Sequence, residues 1–385
     1  MCGAWRIGTV LAGMLLLLTG CAGGEPGESA DVPVSLTSET QTEQNPVRET
    51  LTPDNVRVMG RITMDKTVFR LEWTNSGVEL RFTGTGIQAM LGTSETNTEQ
   101  YPAVAVQVDG GEYKRISVKK TGLITLAEGL PSGEHTLRLV KITEATAHPV
   151  FLSYVEIFPC ADGRASLDEP LPAPGRRIEF IGDSITCGYG NLGDAGTKVF
   201  LTSQQDGLQT YASLTADALQ ADARYICMSG RGIVQNVNSS MEDLLPQLFS
   251  YASPTKKEAW DFTAWQPDVV VINAGTNDVS GGASAQLFIE GAVDFMEQIR
   301  SVYPQAKILW CYGMMNREFH DAVEEAVRRF NDSDGGAAYL ALRDVMLGES
   351  GAVGHPNVKG HAARAALVTQ AVQQLTGWTV SKAAG

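Results

Sequence analysis

The sequence predicts two folded parts in one chain, an antiparallel β-sandwich followed by an α/β domain built on a parallel sheet. Three observations carry this. Residues 53 to about 160 alternate apolar and polar at a period of two and break at Gly-rich turns, the pattern of short strands with one buried face. A Pro-rich joint, Pro170-Leu171-Pro172-Ala173-Pro174, then interrupts the pattern. Beyond it, short apolar runs alternate with amphipathic stretches, which indicates parallel strands joined by right-handed helical crossovers. A length of 385 residues suits two domains.

At the N-terminus, Arg6 precedes an apolar run over residues 10–18, too short for a membrane-spanning helix and of the length of a signal-peptide core. Leu18-Thr19-Gly20-Cys21 follows in the pattern of a bacterial lipobox. Residues 1–20 are therefore expected to be a lipoprotein signal peptide, with lipid on Cys21 as the sole membrane contact and the protein held outside the cytoplasm at the cell envelope. An ordinary secretory signal with an incidental cysteine is the alternative. Residues 21–52 are rich in Glu, Ser, Thr, Gln and Pro and read as a disordered tether.

Residues 53–165 form the sandwich domain, with strand-like runs VFRLEW, VELRFTG, AVAVQVDGG, GLITLAEGL, HTLRLVKITE and VFLSYVEIF. Regular spacing of such runs is expected of a jelly-roll type of sandwich. Residues 172–380 form the second domain, with strands near 177–183, 224–229, 268–274, 307–312 and 338–342. Its helices fall within 209–220, 286–301 and 318–330, and a last helix follows His361.

A formal charge of −14 without Lys/Arg clusters excludes nucleic-acid binding, which needs clustered positive charge. Of six cysteines, Cys2 leaves with the signal and Cys21 is the lipidation candidate. Cys160, Cys187, Cys227 and Cys311 are too scattered for a disulfide framework and read as buried free thiols, although an oxidising compartment permits disulfides. Their spacing suits no metal site, and neither metal nor cofactor is expected. A monomer is expected.

Four islands carry chemistry: GDSIT at 182–186, SGRG at 229–232, GTND at 275–278 and HPNVKGH at 355–361. The first three directly follow apolar strand-like runs, and in an open parallel sheet the residues beyond adjacent strand ends meet in one crevice. A serine, two hydrogen-bond donors and a histidine are the components of acyl transfer. Each island also has a plainer reading. Ser184 or Asp183 suits a helix cap, GTND suits a tight turn, Gly232 competes with Gly230, and His361 competes with His355. The remaining histidines, His135, His148 and His320, read as surface residues. Tyr189, Trp260, Trp265, Trp310, Met314 and Met315 are candidates for a sugar-binding platform, although large apolar residues at such places are usually core.

These islands resemble the SGNH hydrolases, also called the GDSL esterase superfamily. The stretches IEFIGDSITCGYGN, SGRGI and VINAGTND are similar more narrowly to carbohydrate esterase family 2, over roughly residues 53–378. The resemblance implies a jelly-roll sandwich ahead of a flavodoxin-like SGNH hydrolase domain. It implies Ser184 as nucleophile, His355 as base, and the Gly230 amide and Asn277 side chain as oxyanion donors. The implied activity is that of a serine esterase removing O-acetyl groups from a xylan- or glucomannan-like polysaccharide. Acetyl groups of cell wall or exopolysaccharide are an alternative substrate, and a catalytically degenerate glycan-binding lipoprotein is an alternative function. The fourth block departs from the family pattern Asp-x-x-His-Pro, because Ala352 stands at the acid position. Either a backbone carbonyl near Ala352 or Val353 orients His355, which is favoured, or Glu349 folds back to do so.

Overall fold

The computed structural model describes residues 45–97 and 99–379; the expected signal peptide, Cys21 and most of the expected tether lie outside them. The N-terminal half is a sandwich of two six-stranded antiparallel sheets. One sheet runs in the order Thr63–Asp65, Val68–Leu71, Val150–Phe158, Gly86–Thr93, Gly122–Ala127. The other runs Ser166–Asp168, Gly77–Gly84, Gly133–Lys141, Ala103–Val108, Lys114–Ser117, with Arg57–Met59 also paired to Gly77–Gly84. The inward residues of both sheets, among them Phe69, Leu80, Phe82, Leu91, Leu137 and Leu152, form one core, as expected of two faces that each bury every second side chain.

The folded part begins earlier than residue 53. Val47–Thr50 is a strand, antiparallel to Val150–Phe158 through pairs such as Val47 with Ile157. Its sequence, VRET, lacks an apolar pattern. It is held instead by main-chain pairing, by the Arg48–Glu156 ion pair at 2.7 Å, and by Leu51, which is buried in the sandwich core.

The second half carries a five-stranded parallel sheet: β1 (Arg176–Gly182), β2 (Ala221–Cys227), β3 (Val269–Asn273), β4 (Lys307–Tyr312) and β5 (Ala337–Ala341). The spatial order is β2-β1-β3-β4-β5, the flavodoxin-like arrangement, whose order reverses between β1 and β3 and opens a crevice at their carboxyl ends. Alternate strand residues serve two cores. Ile181, Ile226, Ile272 and Trp310 face one side, while Phe180, Tyr225, Val271 and Cys311 face the other. Strands covered on both faces read as continuous apolar runs.

Besides a single turn at Leu245–Leu248, the α-helices are α1 (Ser184–Cys187), α2 (Tyr211–Leu219), α3 (Thr276–Gly281), α4 (Ala285–Val302), α5 (His320–Ser333) and α6 (Val358–Thr376). In α5, Ala322, Val323, Ala326, Val327 and Phe330 are buried, a stripe at helical spacing. Thr210, Ser284 and Asn357 cap α2, α4 and α6 by accepting from Ser213, Leu287 and Gly360 N–H. The last helix starts ahead of His361 and includes it. Cys160, Cys187, Cys227 and Cys311 are buried free thiols. His135, expected at the surface, is buried at the edge of the sandwich, where its ring bonds Asp109 Oδ2 at 2.7 Å and Pro131 O at 2.8 Å.

Candidate active site

The three strand ends converge. Gly182 at the end of β1 pairs with Cys227 of β2 and with Asn273 of β3, so the segments that follow all enter the crevice. Asp183 caps α1 by accepting the Ile185 N–H at 3.0 Å, and Ser184 is the first residue of that helix. The capping expected of this island thus belongs to Asp183. Asn277, near the start of α3, ties the segments together: its Nδ2 donates to Asp183 Oδ2 at 3.1 Å and to the Arg231 carbonyl at 2.9 Å.

His355 arrives from the loop between β5 and α6. Its Nε2 lies 2.8 Å from Ser184 Oγ, and its Nδ1 lies 3.1 Å from the Val353 carbonyl. A carbonyl only accepts, so Nδ1 carries the proton and Nε2 presents its lone pair to the serine hydroxyl. Val353 sits in left-handed backbone, φ 53° and ψ 30°, which turns its carbonyl under the ring. That turn is anchored on both sides: Ala352 N–H donates to Gly190 O at 2.9 Å, and Val353 N–H to Thr197 O at 2.8 Å.

Glu349 is engaged elsewhere. Its carboxylate accepts from Arg343 at 3.1 Å, from the Met346 N–H at 3.0 Å and from the buried Arg364, and Arg364 first among these holds it well down, at about 2. His361 is also accounted for. It is buried, its Nδ1 accepts the Tyr211 N–H at 3.1 Å, its ring stacks on Tyr211, and burial lowers it to about 3.

The backbone N–H groups of Ser184 and Gly230, both in the crevice, donate to no acceptor among the described residues. Gly230 has φ +79°, a backbone that needs glycine. The competing Gly232 donates its N–H to Asn236 Oδ1 at 3.1 Å. Both Nδ2 hydrogens of Asn277 are engaged in this geometry, so that side chain would meet an oxyanion only by exchanging a bond to Asp183 or Arg231. Asp278, read from sequence as a turn former, does more: its carboxylate accepts from Ile233, Val234 and Gln235 N–H at 2.9, 2.7 and 3.0 Å and fixes the loop beyond Gly230. Burial pushes Asp278 up, against the pull of those three N–H groups. Burial likewise raises Asp183 to about 7.

Burial lowers His355, with the Val353 carbonyl opposing. Among the platform candidates, Trp265, Trp310 and Met314 are buried core, and Trp260 lies against the Arg61 and Arg224 guanidinium groups. Met315 is partly buried against the same core as Met314, and Tyr189 stands beside the histidine, 4.8 Å between ring centroids, and stacks on Phe200 at 3.8 Å. Phe200 had no motif to mark it.

Comparison with known proteins accounts for both halves. The GDSL-like lipase/acylhydrolase family model matches residues 180–363, and the carbohydrate esterase 2 N-terminal model matches residues 58–170. The chain is 33% identical over 319 residues to the cellulase/esterase CelE of Acetivibrio thermocellus, covering 80% of this chain and 38% of that protein, so it spans well under half of that relative. It is 30% identical over 281 residues to an acetylxylan esterase / glucomannan deacetylase of Cellvibrio japonicus, covering 68% of this chain and 76% of that one. A solved family two carbohydrate esterase from Clostridium thermocellum, in complex with cellohexaose, aligns with a TM-score of 0.78 at 30% identity, over 84% of this chain and 100% of that chain. The acetyl xylan esterase Est2A of Butyrivibrio proteoclasticus shares the fold, with a TM-score of 0.79 at 21% identity, over 87% of this chain and all of its own. With both halves matched and a 30% identical relative covered over most of its length, this chain belongs to carbohydrate esterase family 2.

Proposed function

We propose that this protein is a serine esterase that removes O-acetyl groups from a polysaccharide of the xylan or glucomannan type, with Ser184 as nucleophile and His355 as base. One observation carries the reading: Ser184 Oγ lies on His355 Nε2 while Nδ1 is held by the Val353 carbonyl. Ser184 Oγ attacks the acetyl carbonyl carbon and its proton passes to Nε2. The resulting oxyanion meets the unengaged Ser184 and Gly230 N–H groups, with Asn277 beside them. Collapse breaks the bond to the sugar oxygen, which leaves with the proton from Nε2, and the acetyl group stays on Ser184. Water then repeats the sequence, releasing acetate and restoring the serine. The names of the Cellvibrio japonicus and Clostridium thermocellum relatives, and the cellohexaose bound to the latter, support a glycan substrate.

Acetate release from acetylated xylan and acetylated glucomannan tests this. Ser184→Ala and His355→Ala should each lower turnover by at least ~10³-fold with the fold retained, since the two act as one unit. Undiminished release by Ser184→Ala would reject the mechanism. We further propose anchoring through lipid on Cys21, on the strength of the Leu18-Thr19-Gly20-Cys21 motif. Cys21→Ser should move the protein from the membrane to the soluble fraction, and unchanged partitioning would reject the anchor.

A further inference from the structure

Glu144 follows the last strand residue of Gly133–Lys141 by three positions, and it is fully buried. Its carboxylate accepts two bonds from a single residue of the other half of the molecule, the Ser229 N–H at 2.8 Å and the Ser229 hydroxyl at 2.7 Å. Ser229 immediately precedes Gly230. Among the described residues Glu144 forms no ion pair. Its main chain is held as firmly: its N–H donates to Gln205 Oε1 at 3.2 Å, and its carbonyl accepts from Lys141 Nζ at 2.7 Å. Gln205 Nε2 in turn donates to the Cys187 carbonyl at 3.1 Å, in the last residue of α1. One short segment of the sandwich therefore grips both the serine helix and the loop of the free Gly230 amide.

We infer that Glu144 is a positioning residue for the reaction, the sandwich supplying the carboxylate that sets the Gly230 N–H in place; the inference rests on the esterase reading above. The peptide groups on either side of that amide are pinned, the preceding one by Ser229 N–H to Glu144 and the following one by Gly230 O, which accepts the Val237 N–H at 3.0 Å. With φ of residue 230 at +79°, the peptide between them has its direction fixed. A carboxylate that binds the N–H and the hydroxyl of one residue holds backbone and side chain at once. The buried Lys141 ammonium on the Glu144 main-chain carbonyl offsets part of the cost of burying this carboxylate, yet apolar packing would join two layers at less cost.

The test compares kcat and KM for 4-nitrophenyl acetate, with thermal unfolding alongside, in Glu144→Ala, Glu144→Asp and Glu144→Gln. Loss of one oxyanion donor costs ~10²–10³ in turnover, so a donor displaced rather than removed should cost ~10- to 100-fold in kcat, with KM within about threefold. Glu144→Ala and Glu144→Asp should both show this, the aspartate keeping the charge but falling one methylene short of Ser229. Glu144→Gln can still accept the Ser229 N–H and should stay within about threefold of wild type on the same scale. If Glu144→Ala fails to fold, Glu144→Asp carries the test. Wild-type kcat in Glu144→Asp, a change in KM alone, or a Glu144→Gln enzyme as slow as Glu144→Ala would each overturn the inference. Absence of ester hydrolysis by the wild-type protein would overturn the esterase reading instead.

Discussion

Left-handed backbone is unfavourable for a β-branched side chain, by roughly 1–3 kcal/mol, yet Val353 adopts it beside the candidate base. The strain places its carbonyl on His355 Nδ1. A carbonyl orients the ring and selects the tautomer, but it lacks the full charge with which a carboxylate would stabilise the imidazolium. His355 accordingly sits below its ordinary value, burial being the larger cause. The sign follows directly. The base works when neutral, so activity falls as pH drops through the folded-state pKa, and a lowered pKa moves that fall toward acid. The acid limb of kcat/KM for 4-nitrophenyl acetate should therefore be centred below the ordinary histidine value of ~6.5. A midpoint above it would mean that a carboxylate pairs with the ring in solution.

At the scale of elements, the loop between α1 and α2 packs closely on the position where the family pattern has its aspartate. Ala352 is buried, and a Cβ added at Gly193 would stand 2.6 Å from its Cβ, while one at Gly190 would stand 2.7 Å from its carbonyl oxygen. The loop thus fills the space a carboxylate at 352 would need, and in exchange it supplies Gly190 O and Thr197 O to anchor the Val353 turn. Ala352→Asp, which restores the family pattern, should consequently lower both activity and melting temperature, because overpacking alone costs ~1–3 kcal/mol. Higher turnover in Ala352→Asp would show that the loop yields and that the carbonyl is a poor substitute. The parallel strands and the order of the islands were legible in the sequence, because apolar runs end directly at GDSIT, SGRG and GTND. The strand Val47–Thr50 was not, since VRET is stabilised by pairing with residues more than a hundred positions away. The same holds for Glu144 and for the Val353 turn: each depends on what a distant segment presents, and neither hydrophobic period nor motif encodes that.

For the whole molecule, the sandwich and the α/β half share one interior. Trp73 of the sandwich lies in the core formed by β1, β3, β4, α4 and α5, and its Nε1 donates to Ala252 O at 2.9 Å. Arg115 donates to the Gln205 and Thr202 carbonyls at 2.7 and 2.8 Å. The deepest link is Arg61, which is fully buried. It bonds Glu179 of β1, also fully buried, at 2.9 Å, and stands over the rings of Phe249, Trp260 and Phe262 at 5.0 to 5.3 Å. Arg224, lowered to about 10 chiefly by burial, lies over Trp260 as well. Removing Arg61 alone would strand the Glu179 charge in this interior, and breaking a buried pair from one side typically costs ~3–5 kcal/mol. Arg61→Met should therefore lower stability by about that much, whereas Arg61→Met combined with Glu179→Leu should recover part of it, since the stranded carboxylate is gone while Arg224 loses the Glu179 charge beside it. Calorimetry of the wild-type protein should show one unfolding transition, the two halves melting together. Two separated transitions, or an Arg61→Met protein as stable as wild type, would mean that the Arg61 cluster does not couple the stability of the sandwich to that of the α/β half.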